Sequence, residues 1–166
     1  MKKLSLGIQD FAAFKANNLI YVDKTRLIHR LIEDGSYYFL SRPRRFGKSL
    51  LVSTMEELFA GNKELFEDSW IYDQWDWEKK YPVIRISFAE IEYRSLGLEK
   101  ALEIFLAKKA EQHNVRLTAA SYGGQFLELI KAVGKETPVA VLIDEYDKPI
   151  IDYLEQTQLE QAEENR

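Results

Sequence analysis

Two short groups of residues in this sequence carry side chains suited to phosphate chemistry. The first is Gly47-Lys48-Ser49, in which a flexible turn residue, a compact cation and a hydroxyl stand side by side. Backbone N–H groups at the start of a helix attract anions, so a loop of this kind before a helix is typical of a site for nucleotide phosphates. We predict that Lys48 contacts the β- and γ-phosphates and that Ser49 ligates Mg²⁺. Alone, the tripeptide also fits an ordinary turn with a surface lysine.

The second group is Asp144-Glu145, which follows the apolar run 139–143. Ligands of open α/β sheets bind at the carboxyl ends of strands. We therefore predict that Asp144 holds Mg²⁺, directly or through water, and that Glu145 is the base that activates water. Alone, the pair also fits a strand end that enters a turn. The two groups together, in this order, favour a nucleotide-binding protein.

The residues around these groups predict the elements that position them. The run 37–40 indicates a buried strand before the loop, and 49–60 indicates the helix after it. The run 139–143 suits a central parallel strand that is buried on both faces. This order of elements predicts an α/β fold with a parallel sheet covered on both faces. The other predicted elements are a helix at 8–16, a small strand at 19–22, a helix from 23 or 25 to 33, a strand at 83–88, helices at 96–112 and 125–133, and a helix after 145.

Five longer stretches carry a resemblance to a known family, and they lie at 7–11, 21–25, 41–49, 81–84 and 142–149. In them the chain resembles the bacterial and archaeal AAA-ATPase-like domains. The resemblance implies a P-loop NTPase three-layer sandwich with a parallel sheet, ATP and Mg²⁺ as ligands, and catalytic roles for Glu145 and Lys48. It also implies that Arg42, where the standard loop pattern has glycine, is a family trait. The expected nucleotide-binding residues are Arg42, Pro43, Arg44, Arg45, Phe46, Gly47, Lys48, Ser49 and Leu50.

The resemblance also implies parts that this chain lacks. AAA-type domains place a further strand, which bears a polar sensor of the γ-phosphate, after the Asp-Glu strand, and a lid follows it. Family members often add a restriction-endonuclease-like region. Few residues follow Glu145, and their pattern is helical. We therefore expect residues 1–166 to be the N-terminal part of one P-loop domain in a longer protein. By themselves, these residues are expected to hydrolyse ATP only weakly. The alternative is that self-association supplies the missing strand from another copy.

Composition narrows the classes of partner. The net charge of −4, from 23 basic and 27 acidic side chains, argues against a nucleic-acid surface across the whole chain. No apolar run could span a bilayer and no signal-peptide pattern is present, which predicts a cytoplasmic protein without a membrane partner. Cysteine is absent and His29 and His113 are the two histidines, which excludes disulfides and histidine-rich metal sites. The three tryptophans stand among acidic residues, which favours a packing role over base stacking.

Two functions stay open from the sequence. The first is an ATPase module that switches or drives an attached effector, and Glu145 directly after Asp144 favours it. The second is a nucleotide-dependent regulatory module with little turnover, which Arg42 and the missing sensor strand favour. A small-molecule kinase is a third possibility, but it needs an acceptor pocket and an arginine-bearing lid that the sequence does not show.

Overall fold

The computed structural model describes residues 3–4, 7–155 and 159–165. The chain forms two compact units, Met1–Tyr81 and Pro82–Arg166. The helices of the first unit are α1 (Phe11–Ala16), α2 (Thr25–Asp34) and α3 (Lys48–Ala60). The elements of the second unit are β1 (Val83–Ser87), α4 (Tyr93–Leu96), α5 (Leu98–Gln112), α6 (Tyr122–Val133), β2 (Ala140–Asp144), α7 (Lys148–Glu155) and α8 (Leu159–Glu164).

The first unit is built around an aromatic core. Phe11 and Phe66 are fully buried, and their ring centroids lie 4.9 Å apart. Two 3₁₀ turns, Lys63–Phe66 and Trp70–Asp73, follow α3. Trp75 and Trp77 pack against this cluster, so the predicted packing role is confirmed for both.

A buried hydroxyl joins α1 to α3. The N–H of Phe11 lies in the first turn of α1, where no carbonyl of the same helix can accept it. It donates instead to Ser53 Oγ on α3 at 2.9 Å. Neither residue is exposed, so water cannot replace the bond. The helix that follows the loop therefore also anchors the start of α1.

Ser53→Ala is expected to lower the free energy of unfolding of the first unit by about 1–3 kcal/mol, because it leaves the Phe11 N–H buried without an acceptor. Urea unfolding followed by tryptophan fluorescence measures this unit selectively, since all three tryptophans lie in it. Ser36→Ala, at an exposed position, is the matched control and should change little. Equal stability of the Ser53→Ala and Ser36→Ala proteins would contradict this role.

The second unit contains a parallel pair of strands. β1 and β2 run in register from Val83 opposite Ala140 to Ser87 opposite Asp144. Ile84 and Ile86 of β1 join a core with residues of α5 and α6. The parallel pairing agrees with the α/β class predicted from the sequence. Burial of β2 on both faces was wrong at Ile143, which is 48 % exposed.

Two further sequence expectations differ from the structure. Residues 37–40 form no strand, and no β-bridge joins them to another part of the described chain. Tyr37 is 97 % exposed, so apolar character here does not produce burial. The small strand at 19–22 is reduced to one bridge between Lys3 and Leu19.

The helix predicted from Leu96 is interrupted near its start. Gly97 has φ 76°, a left-handed conformation that ends α4, and α5 begins at Leu98. The other predicted helices form where the sequence places them, although α1 and α6 differ from the predicted bounds by up to three residues. Gly61, also left-handed at φ 77°, ends α3 as its position predicts.

Candidate functional site

The Gly-Lys-Ser loop is closed by its own lysine. Lys48 Nζ donates to the backbone carbonyls of Arg42 at 2.8 Å and of Pro43 at 3.2 Å. The ammonium group thus ties the start of the loop to the first residue of α3. A loop pinned in this way curves around the beginning of the helix.

Left-handed residues give the loop its tight turn. Arg45 has φ 69° and Gly47 has φ 74°. Glycine adopts this conformation without strain, whereas an arginine there costs about 1–2 kcal/mol. Pro43 has no backbone N–H, so it contributes only its carbonyl to the loop.

Arg42 stands where the standard loop pattern has glycine, and the backbone of this loop does not require glycine there. Outside glycine, the described residues with positive φ are Asn18, Arg45, Asn114 and Glu145. Residue 42 therefore does not need the conformational freedom of glycine. Its contribution to the closed loop is a main-chain carbonyl, which any residue supplies.

The start of α3 is open to an anion. Gly47 occupies the N-cap position, and no side chain in the described part of the chain caps the helix. No acidic residue lies in the first turn, and Lys48 itself is cationic. Uncapped N–H groups and the positive end of the helix dipole both favour a bound anion.

The predicted loop residues differ in exposure. Residues 42–47 are all exposed, whereas Lys48, Ser49 and Leu50 are partly buried in the first turn of α3. The Leu50 side chain packs against the core of the first unit, so only its backbone remains for a ligand. Ser49 supplies a hydroxyl in this turn, and its role as a metal ligand stays a prediction.

The motif at residues 21–25 has a structural role. Asp23 accepts from the backbone N–H groups of Trp70 at 2.7 Å and Thr25 at 2.8 Å. Burial acts to raise the pKa of Asp23, but these hydrogen bonds outweigh it and lower the pKa. Tyr21 packs edge-on against Phe11, with ring centroids 5.0 Å apart. This motif therefore joins α2 to the tryptophan segment.

The acidic pair lies where β2 ends. Asp144 is only 6 % exposed, and its Oδ1 accepts the N–H of Glu145 at 3.0 Å. No ion pair to Asp144 occurs among the described residues. A buried carboxylate without a cation partner is costly, and a divalent cation would compensate it. Asp144 is therefore an oxygen donor of the type that Mg²⁺ takes, and its binding of Mg²⁺ stays a prediction.

Glu145 has a strained backbone. Its φ of 53° is left-handed, which is uncommon for a residue other than glycine. The Glu145 carbonyl accepts the N–H of Lys148 at 3.0 Å, which closes the turn into α7. Strain of this kind persists only where neighbouring contacts hold it, and it occurs often at functional sites.

The two halves of the predicted site belong to different compact units. Lys48 and Ser49 lie in Met1–Tyr81, whereas Asp144 and Glu145 lie in Pro82–Arg166. Within each unit the two predicted residues are neighbours in the sequence. Their convergence on one nucleotide stays a prediction.

A network of charged groups around the buried Asp152 carboxylate, beside the acidic turn, was not found from the sequence. Asp152 Oδ2 accepts from Tyr93 Oη at 2.5 Å, and Lys148 Nζ and Arg94 Nη2 each lie 2.8 Å from it. Burial acts to raise the pKa of Asp152, but the bonds from Lys148, Tyr93 and Arg94 bring it down to about 2. Burial and the Asp152 carboxylate both raise the pKa of Tyr93. The available sequence signal was the four-residue spacing of Lys148 and Asp152 on α7.

Comparison with known proteins places the chain in a family. A family model described as predicted AAA-ATPase matches residues 5–165, so the chain belongs to this AAA-ATPase-like family. The resemblance inferred from the sequence is thereby confirmed.

The chain is also similar to part of a longer protein. A protein of Azotobacter chroococcum mcd 1, described as an uncharacterized protein in the vnfD 5′ region, is 46% identical over 158 residues. The alignment covers 92% of this chain and 30% of that protein, so the chain spans less than a third of its relative. No solved structure matches the chain.

No described helix has the length and apolar character that a bilayer crossing demands. Within the same residues, no cluster of three or more histidine, cysteine, aspartate or glutamate side chains could hold a metal by itself. A metal at Asp144 would therefore need further ligands beside this carboxylate.

Proposed function

We propose that this chain is the nucleotide-binding part of an ATPase that binds ATP with Mg²⁺ and hydrolyses it. Membership of the AAA-ATPase-like family supports nucleotide binding in general. The specific assignment to Mg·ATP and to hydrolysis is our inference from the residues.

The closed loop at Lys48 carries this proposal. Its ammonium is fixed by two loop carbonyls, and the uncapped N–H groups of α3 follow directly. A fixed cation next to free backbone donors is the arrangement that binds a polyphosphate. Lys48 would contact the β- and γ-phosphates and keep at most one of its two bonds to loop carbonyls, because an ammonium group has three N–H donors. Arg42, Arg44 and Arg45 add positive charge around it.

Ser49 and Asp144 would hold the metal. A hydroxyl and a carboxylate are oxygen ligands, which Mg²⁺ prefers, and the nucleotide phosphates would supply others. When bound, Mg²⁺ would neutralise the charge that develops on the phosphates. The buried position of Asp144 keeps bulk water away from that contact.

Glu145 would accept a proton from water. A carboxylate held at the end of a strand can orient and deprotonate a water molecule without reorganising. The hydrogen bonds at the Asp144 carboxylate and at the Glu145 carbonyl fix the backbone on both sides of this residue. The left-handed conformation of Glu145 is consistent with such a role.

Calorimetric titration of the chain with ATP and GTP, each with and without Mg²⁺, tests the proposal. We expect saturable ATP binding that weakens when Mg²⁺ is removed. A folded sample that takes up no nucleotide at millimolar concentration would reject it.

A nucleotide-dependent regulatory module is the second candidate. The arginine at position 42 favours it, because additional positive charge at the phosphates can strengthen binding without helping the chemical step. Tight ATP binding without phosphate release would select this candidate. In the first candidate, by contrast, ATP hydrolysis would switch or drive an attached effector or partner.

A further inference from the structure

The network around Asp152 joins two helices of the second unit. Tyr93 and Arg94 belong to α4, whereas Lys148 and Asp152 belong to α7. Tyr93 is 2 % exposed and Asp152 is 7 % exposed, so the bond between them is buried, whereas the Arg94 side chain is 54 % exposed. Hydrogen bonds to a charged group are stronger than neutral ones, and burial strengthens them further.

The residue preferences of an isolated helix do not explain why a lysine stands at position 148. Lys148 opens α7, where the helix dipole favours acidic residues. A lysine four residues before an acidic residue is also the weaker orientation of such a pair. The position of Lys148 is therefore accounted for by its bond to the buried Asp152 carboxylate and by its backbone bond to Glu145, which lies before the helix.

Lys148 connects the network to the acidic turn. Its side chain lies 2.8 Å from Asp152 Oδ2, and its backbone N–H donates to the Glu145 carbonyl at 3.0 Å. One residue thus holds a buried carboxylate at one end and the strained turn at the other. If Lys148 moves, the carbonyl of Glu145 loses its partner.

We propose that Asp152 is a positioning residue for Glu145. It fixes Lys148, and Lys148 holds Glu145 in the left-handed conformation from which its carboxylate acts. This role rests on the proposed function, because it presumes that Glu145 activates water. Asp152 touches neither nucleotide nor water in the reaction and acts through Lys148 alone.

Hydrogen exchange at the Lys148 amide tests the structural link. Asp152→Asn keeps the shape of the side chain but removes its charge, and should speed exchange of this amide by about tenfold or more. Tyr93→Phe removes one of the three donors and should have a smaller effect in the same direction. Exchange in Asp152→Asn within about twofold of wild type would overturn the proposal.

Turnover measured with protein in excess over ATP tests the link to chemistry. Asp152→Asn should slow hydrolysis by about tenfold while the dissociation constant for ATP stays the same, and Asp152→Glu should restore part of the rate. The split between rate and affinity separates positioning from a loss of folded protein. An unchanged rate in Asp152→Asn would overturn the proposal even if the amide exchanges faster.

Glu128→Gln is the matched control. Glu128 is another hydrogen-bonded carboxylate of the same unit, and it accepts from Thr118 and Ala119. Its removal should change neither the Lys148 exchange rate nor the turnover, and equal effects in the two variants would overturn the proposal. A wild-type chain that binds no ATP would reject the proposed function itself. An active wild type that tolerates Asp152→Asn would reject only the role of Asp152.

Discussion

Lys48→Ala is expected to weaken ATP binding by about 100-fold or more. Charge-assisted hydrogen bonds contribute about 1.5–3 kcal/mol each, and the ammonium would make at least two of them to the phosphates. The substitution also removes the bonds to the Arg42 and Pro43 carbonyls that close the loop. Both losses act on the same ligand, so the effect should be large.

Titration calorimetry with Mg·ATP measures this effect. Lys24→Ala is the matched control, because Lys24 is an exposed lysine of the same unit whose side chain caps no helix. Tryptophan fluorescence should show that both variants remain folded in this unit. An affinity of Lys48→Ala within about threefold of the control would mean that this loop does not bind phosphate.

Glu145→Gln is expected to slow ATP hydrolysis by about 100-fold or more and to leave ATP affinity nearly unchanged. A positioned general base contributes about 10²–10⁴ to rate, and glutamine cannot accept the proton. Glutamine keeps the size of glutamate, so the left-handed turn and its bond to Lys148 should persist. The expected result is a chain that holds ATP without turning it over.

Phosphate release with protein in excess over ATP measures the rate, and Glu136→Gln, at an exposed position of the same unit, is the control. A hydrolysis rate equal to that of the control would remove Glu145 from the mechanism. If wild type binds ATP but releases no phosphate, the regulatory module becomes the better account. The experiment therefore separates the two functions as well as testing the residue.

Local sequence signals were sufficient for most helices. α2 stops at Gly35 and α3 stops at Gly61, as the positions of these glycines predict. A helix satisfies its hydrogen bonds within its own segment, so short-range residue preferences determine much of its extent. β2 was recognisable for a different reason, since its run of apolar residues ends in an acidic pair.

The strand expected at 37–40 shows where local signals fail. A strand depends on a partner elsewhere in the chain, and the same apolar run fits an exposed segment equally well. The interruption at Gly97 was also missed, because a glycine within a helical pattern indicates a weak point but does not determine the φ angle.

The candidate site was only partly predictable. Residue types made Lys48, Ser49, Asp144 and Glu145 the candidates, since their chemistry is visible in the sequence. The closure of the loop through main-chain carbonyls was not predictable, because carbonyls carry no sequence signature. The Asp152 network was missed because Tyr93 and Asp152 are distant in sequence and meet only through the fold.

The parallel strand pair has a consequence for how the chain folds. Val83 pairs with Ala140, and α5 and α6 lie in the connection between the two strands. The chain loses conformational entropy when the two ends of this long connection come together, and this loss precedes any hydrogen bond between the strands that could compensate for it. High contact order of this kind slows folding, whereas helices form quickly from local contacts. β2 and the acidic turn that follows it are therefore expected to reach their final arrangement late in refolding, after α5 and α6 have formed.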